Sequence, residues 1–118
     1  MIIEMLKAKL HRATVTDADL NYEGSVSIDP SLYKAVGMME FEKVDILNIN
    51  NGARLTTYII NGKEGEVCLN GAAARLAQRG DKVIICSYCG LDSEEAKGHK
   101  PQVALLDENN RIIKEGIK

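Results

Sequence analysis

Val44-Asp45-Ile46-Leu47-Asn48-Ile49-Asn50-Asn51-Gly52-Ala53-Arg54-Leu55-Thr56-Thr57-Tyr58-Ile59-Ile60 is a hairpin written out residue by residue. Two apolar-rich runs, Val44 to Ile49 and Arg54 to Ile60, flank Asn50-Asn51-Gly52. Asn and Gly tolerate the positive φ that tight hairpin turns demand, so the runs predict antiparallel strands. In the returning strand, alternation sets Arg54, Thr56 and Tyr58 on one face and Thr57 on the other.

The same short-strand rhythm runs outward in both directions. Leu6, Ala8 and Leu10 alternate with Lys7, Lys9 and His11, a half-buried strand carrying Lys9 and His11 on one face. Asp19 to Ser25 is polar and reads as a turn. Asp29-Pro30-Ser31 opens a short helix over Leu32 to Val36, with Asp29 as the cap, Pro30 in the first turn and Gly37 as the stop. Beyond the hairpin, the Asn61–Gly65 turn leads to a strand over Glu66 to Leu69. Asn70-Gly71 turns into an Ala-rich helical piece that ends at Gly80-Asp81. Lys82 to Tyr88 and Gln102 to Leu106 are further strands, and Asp107 to Asn110 turns into Arg111 to Lys114. Many short strands with little helix predict a mainly β fold, a small barrel rather than an open sheet.

With 118 residues and no repeat, linker or low-complexity run, a single domain over 1–118 is expected. Hydrophobic residues make up 45% and charged residues 27%, the balance of a soluble globular chain. A net charge of -2 gives no electrostatic case for nucleic acid or an anionic membrane. The longest apolar runs, such as Val83 to Cys86, are too short to span a bilayer, and the N-terminus does not read as a signal peptide. Cys68, Cys86 and Cys89, an odd number, point to reduced thiols and a cytoplasmic location. The Cys86-x-x-Cys89 spacing falls on a strand, where positions three apart face opposite ways, so it predicts neither a disulfide nor a metal site. His99 reads as a surface-loop histidine.

Four separated stretches carry the functional signal: Lys9-Leu10-His11-Arg12, Tyr22-Glu23-Gly24-Ser25, Arg54-Leu55-Thr56-Thr57-Tyr58 and Asn70-Gly71-Ala72-Ala73-Ala74. Each has a bland reading, respectively a solvated strand, a turn, a half-buried strand and a turn entering a helix. In this order, and from Met5-Leu6 to about Leu106, they closely resemble the pyruvoyl-dependent aspartate 1-decarboxylases. Leu47 and Cys86 depart from residues common in that family.

The resemblance implies a six-stranded double-psi β-barrel with short helices, assembled as a homotetramer with sites at subunit interfaces. It implies self-cleavage into 1–24 and 25–118. In the family, the serine hydroxyl attacks the preceding glycine carbonyl and an ester forms. Elimination and loss of ammonia then leave a pyruvoyl group where Ser25 stood. That ketone is the electron sink for converting L-aspartate to beta-alanine and carbon dioxide, which feeds pantothenate and coenzyme A synthesis. Neither a metal nor pyridoxal phosphate is expected. The chain shows no phosphate-binding glycine loop and no obvious Schiff-base lysine.

By the same resemblance, Thr57 bonds the Gly24 carbonyl during cleavage, and Tyr58 is the proton donor. Arg54 and Lys9 bind substrate carboxylate, and Asn70, Gly71, Ala72 and Ala73 line the pyruvoyl group. His11 and Tyr22 stand near the site with no assigned step, and Ile60 and Ile84 are apolar walls. Strand alternation conflicts with the Thr57 role unless a twist, a bulge or approach from the strand's other side brings it to Gly24. No motif specifies a maturation factor. Two other readings fit the residues: an inert Gly24-Ser25 turn in a non-catalytic binding module, or a pyruvoyl decarboxylase for another small acidic amino acid.

Overall fold

The computed structural model describes residues 1–117. It is mainly β. The strands are β1 (Ile2–Thr14), β2 (Asp17–Asp19), β3 (Ser25–Ile28), β4 (Lys43–Asn48), β5 (Arg54–Asn61), β6 (Val67–Asn70), β7 (Lys82–Asp92), β8 (Gln102–Leu106) and β9 (Ile112–Ile117). Two α-helices, α1 (Pro30–Ala35) and α2 (Ser93–Lys97), and a 3-10 helix (Gly71–Leu76) connect them.

The paired order is β2-β6-β3-β5-β4-β7-β1-β8-β9. β2 continues directly out of β1, and Thr16 N–H donates to Val67 O at the join. The sheet therefore curls back on itself, barrel-like, around β1/β2, β7, β4, β5, β3 and β6. Parallel pairs, β3 with β5 and β2 with β6, lie among antiparallel ones, which an up-and-down barrel does not have. The β8–β9 hairpin lies outside this ring, with β8 parallel to β1.

The core is aliphatic. Leu10, Val26, Ile28, Ile46, Ile59, Leu69, Val83 and Ile85 are wholly buried and come from six strands. Each such side chain contributes about 1.5–3 kcal/mol relative to exposure. On β1, Ala8 and Leu10 face this core, while Lys9 and His11 are half-buried on the other side, as alternation predicts. Register shifts at Leu6/Ala8 and Leu10/Ala13, with Arg12 at φ 63°, bend the strand around the barrel.

The hairpin forms as read. Asn48 and Ala53 close it, Gly52 takes φ 75°, and Asn51 Oδ1 accepts from Ala53 N–H. Asn48 Nδ2 also donates to Leu76 O and Asp81 Oδ2, so the hairpin is fastened to the end of the 3-10 helix. Asp29 caps α1 by accepting from Ser31 N–H.

Three local readings change. Ser25 is not in a turn: it opens β3, which is buried on both faces between β5 and β6 and so shows no polar-out alternation. A helix not read from sequence, α2, follows Asp92, which caps it by accepting from Glu94 and Glu95 N–H. His99 is not a free loop side chain, since its Nε2 lies 2.6 Å from Leu6 O and ties that loop to β1. The three cysteines are free thiols. Among the described residues, no helix is long and apolar enough to cross a membrane.

Candidate active site

Position 25 is fixed by the strands on either side of it. β3 runs antiparallel to β6 with Ser25 opposite Asn70, and parallel to β5 with Val26 opposite Ile59. Continuing the parallel register back sets Ser25 level with Tyr58, and Gly24 level with Thr57. The Gly24–Ser25 segment thus meets β5 along its edge rather than over one face. Strand alternation therefore does not bar Thr57 from Gly24. Gly24, Leu55, Thr56, Thr57, Tyr58, Ala72, Ala73 and Leu76 line one cavity of about 320 Å³.

Ser25 is fully buried beside that cavity. Its hydroxyl donates to Glu23 O at 2.9 Å, and its Oγ accepts from Asn70 Nδ2 at 3.0 Å. The second Asn70 N–H donates to Ser27 Oγ at 2.9 Å. Buried hydroxyl and amide groups are thus matched to one another rather than left bare.

Gly71 explains why the Asn70-Gly71 pair belongs here. It has φ 64°, and a Cβ at this position would lie 2.7 Å from both Gly24 N and Gly24 Cα. Only a residue without a side chain lets the 3-10 helix begin this close to the backbone before Ser25. The Ala72 and Ala73 that follow keep the cavity wall low. Asn70 itself ends β6 in an extended conformation, so its amide points across to β3 rather than capping the helix.

The remaining residues fall elsewhere on the single chain. Lys9 and His11 line a separate cavity of about 410 Å³ with Val103, Leu105 and β9. Lys9 is opposite Cys86, Cys86 opposite Asp45, and Asp45 opposite Thr56, whose hydroxyl donates to Asp45 Oδ1. Arg54 is exposed at the start of β5, opposite Leu47, which in turn pairs with Ile84. Burial raises the Cys86 thiol pKa, while Lys9 and Arg54 oppose that and Asp45 adds to it. Both cations therefore stand over the same broad face of β1, β7, β4 and β5. Arg54 is four residues from Tyr58, about 13 Å along an ideal strand. Tyr22 and Ile60 line a third hollow, on the Asn70 side, with Asp17, Asp19, Glu66 and Cys68.

A family model described as aspartate decarboxylase matches residues 1–113. The chain belongs to the aspartate decarboxylase family. It is 62% identical over 112 residues to a protein of Bdellovibrio bacteriovorus named aspartate 1-decarboxylase, covering 95% of this chain and 90% of that one. A Bacillus velezensis protein of the same name is 63% identical over 110 residues, covering 92% and 87%. One from Campylobacter hominis is 57% identical over 113 residues, covering 96% and 99%. Within this family member, Leu55, Leu76 and Ser27 join the residues read from sequence. Leu55 and Leu76 give the Gly24 cavity its apolar walls, and Ser27 shares the Asn70 amide. The repeated Ser25-Val26-Ser27-Ile28 pattern was the available signal for Ser27, obscured by burial of both faces.

Proposed function

We propose that this aspartate decarboxylase cuts its own Gly24–Ser25 bond and uses a pyruvoyl group left at position 25 to turn L-aspartate into beta-alanine and carbon dioxide. The observation that carries this reading is the seating of the bond: a buried Ser25 oxygen held by Asn70, beside a Gly24 that shares a cavity with Thr57 and Tyr58. The enzyme class is that of the family, and the substrate is the one its relatives' names carry.

In the cleavage, Ser25 Oγ attacks the Gly24 carbonyl carbon. The bond from that carbon to the Ser25 nitrogen breaks, and the nitrogen takes up a proton. The resulting ester loses the Ser25 α-proton and the Gly24 carboxylate, and hydration of the dehydroalanine then expels ammonia. The products are 1–24 and 25–118. Thr57, level with Gly24, is the donor for the developing oxyanion. Thr57→Val keeps the β-branched shape and removes that donor, so precursor should accumulate, with cleavage slowed about 10²–10³-fold. A denaturing-gel time course reads this, and a wild-type rate would remove Thr57 from the role.

The residues present fit a small planar group at position 25. The missing Cβ at Gly71 leaves room against the Gly24 backbone, and Asn70 presents N–H donors to the same place. When present, the ketone supplies the electron sink that decarboxylation needs. The chain's own residues do the rest. Asn70, Gly71, Ala72 and Ala73 line the group, Leu55 and Leu76 limit water, and Tyr58 holds a proton for the substrate α-carbon. Arg54 grips the retained carboxylate, assisted by Lys9.

Lys9 and His11 line a different cavity from Gly24 within one chain, which supports a homotetramer whose sites form between subunits. The exposed apolar Met39, Phe41 and Leu20 offer surface for such contacts. The reading places the enzyme in the cytoplasm, in beta-alanine supply for pantothenate synthesis. Arg54→Lys should cleave normally yet raise KM for aspartate, because an ammonium loses the two-point grip of a guanidinium. Unchanged KM and kcat in steady-state assays would exclude Arg54 as the clamp. Intact mass of purified protein tests the whole reading. Two pieces are expected, the larger lighter by one ammonia than a hydrolytic fragment beginning at Ser25. A single uncut chain in an active preparation would overturn it.

A further inference from the structure

Asn70 can orient Ser25 only if its amide faces the right way, and its two ends are nearly the same shape. In the structure Nδ2 faces Ser25 Oγ and Ser27 Oγ, and Oδ1 faces Cys68 Sγ at 3.3 Å. The two serines alone do not decide this orientation, because hydroxyls donate as readily as they accept. A protonated thiol does decide it, since it offers a hydrogen to Oδ1 and is a poor acceptor for N–H.

We propose that the Cys68 thiol is a positioning group for self-cleavage, donating to Asn70 Oδ1 and so fixing the N–H end of that amide on Ser25. This rests on the self-cleavage reading above and adds a residue to it. Cys68 sits on β6 directly opposite Ser27, two residues before Asn70, and is buried. Burial, then the negative charges of Glu66, Asp17 and Asp19, push its thiol pKa up to about 11. The sulfur therefore keeps its proton throughout the neutral range and remains a donor.

The consequence for the nucleophile follows from the four tetrahedral directions at Ser25 Oγ. One is the bond to Cβ. A second is the O–H aimed at Glu23 O, and a third is a lone pair accepting from Asn70. The fourth is the second lone pair, the one that the self-cleavage reading uses against the Gly24 carbonyl carbon. With the amide reversed, Oδ1 would compete with Glu23 O for the hydroxyl proton. Oγ would then rotate among several states, and fewer molecules would hold the attacking geometry.

The test is a cleavage time course of newly made wild type, Cys68→Ala and Cys68→Ser on denaturing gels, with circular dichroism and thermal melting of each. Cys68→Ala should cleave about tenfold more slowly, the scale of one neutral hydrogen bond's net effect. Cys68→Ser should restore only part of the lost rate, because a hydroxyl can donate to Oδ1 but accepts from N–H as readily and so fixes the amide less firmly than the thiol. Should Cys68→Ala fail to fold, Cys68→Val supplies the donor-free comparison. A donor-free variant that cleaves at the wild-type rate overturns the proposal, as does Cys68→Ser cleaving as slowly as Cys68→Ala. If wild type cleaves and only the variant prediction fails, self-processing stands without Cys68. Wild type that stays whole brings down both.

Discussion

Ser25→Ala is expected to remain one uncut chain of 118 residues with no measurable decarboxylase activity. Alanine has no nucleophile for the acyl shift, so the effect is a loss rather than a slowing. The fold should survive it. Ser25 is fully buried, and its loss leaves one Asn70 N–H and Glu23 O without that partner, while the other Asn70 N–H keeps Ser27 Oγ. The structural penalty is mainly the one buried amide N–H left unpaired, about 1–3 kcal/mol. Denaturing electrophoresis, intact mass and a carbon dioxide assay on the same preparation read the outcome. Two fragments divided at 24/25 in this variant would sink the self-processing mechanism.

Tyr58→Phe should give the opposite pairing, a fully cleaved protein that turns over slowly. Tyr58 is half-buried on β5, opposite Lys43, and its ring forms part of the wall shared with Gly24. Phenylalanine keeps that wall and removes only the phenolic proton. A placed general acid contributes about 10²–10⁴ in rate, and a loss of that size in beta-alanine formation is expected, with the cleavage time course unchanged. Near-normal turnover would mean that another donor protonates the product. A defect confined to cleavage would instead move Tyr58 to the processing step.

The parts of this molecule that were legible in its sequence are those set by local chemistry. Asn50-Asn51-Gly52 closes the hairpin because those residues accept its backbone angles, and Asp29-Pro30 starts α1 because each satisfies a helix-end requirement nearby. β3 was hidden because both of its faces are buried, so serine and valine are equally inside. α2 was hidden because it buries nothing and leaves no periodic pattern. The candidate site divides in the same way. Thr57 and Tyr58 could be assigned to opposite faces of a strand, yet their common cavity depends on β5 meeting the Gly24 segment along its edge. That is a property of strand order, to which residue spacing is blind. The tie between Cys68 and Asn70 likewise depends on which side chains converge from β6, not on any motif.

The ladders around β1 and β3 bear on what the protein becomes once divided. β1 is paired with β7 on one side and β8 on the other, and β3 is enclosed by β5 and β6. A cut at 24/25 would fall between two fully woven strands, so neither piece could leave without tearing the weave. The native architecture would not register the loss of a covalent link, but the denatured ensemble would. Before cleavage, the folding of each subunit involves one chain; afterwards it requires two pieces to find each other, and its rate and midpoint gain a dependence on concentration beyond that of subunit assembly. The short piece carries Ala8, Leu10, Ala13 and Val15 of the core, leaving the long piece without one side of its interior. Maturation would thus act as a ratchet, with the chain's folding instructions complete only until they have been used.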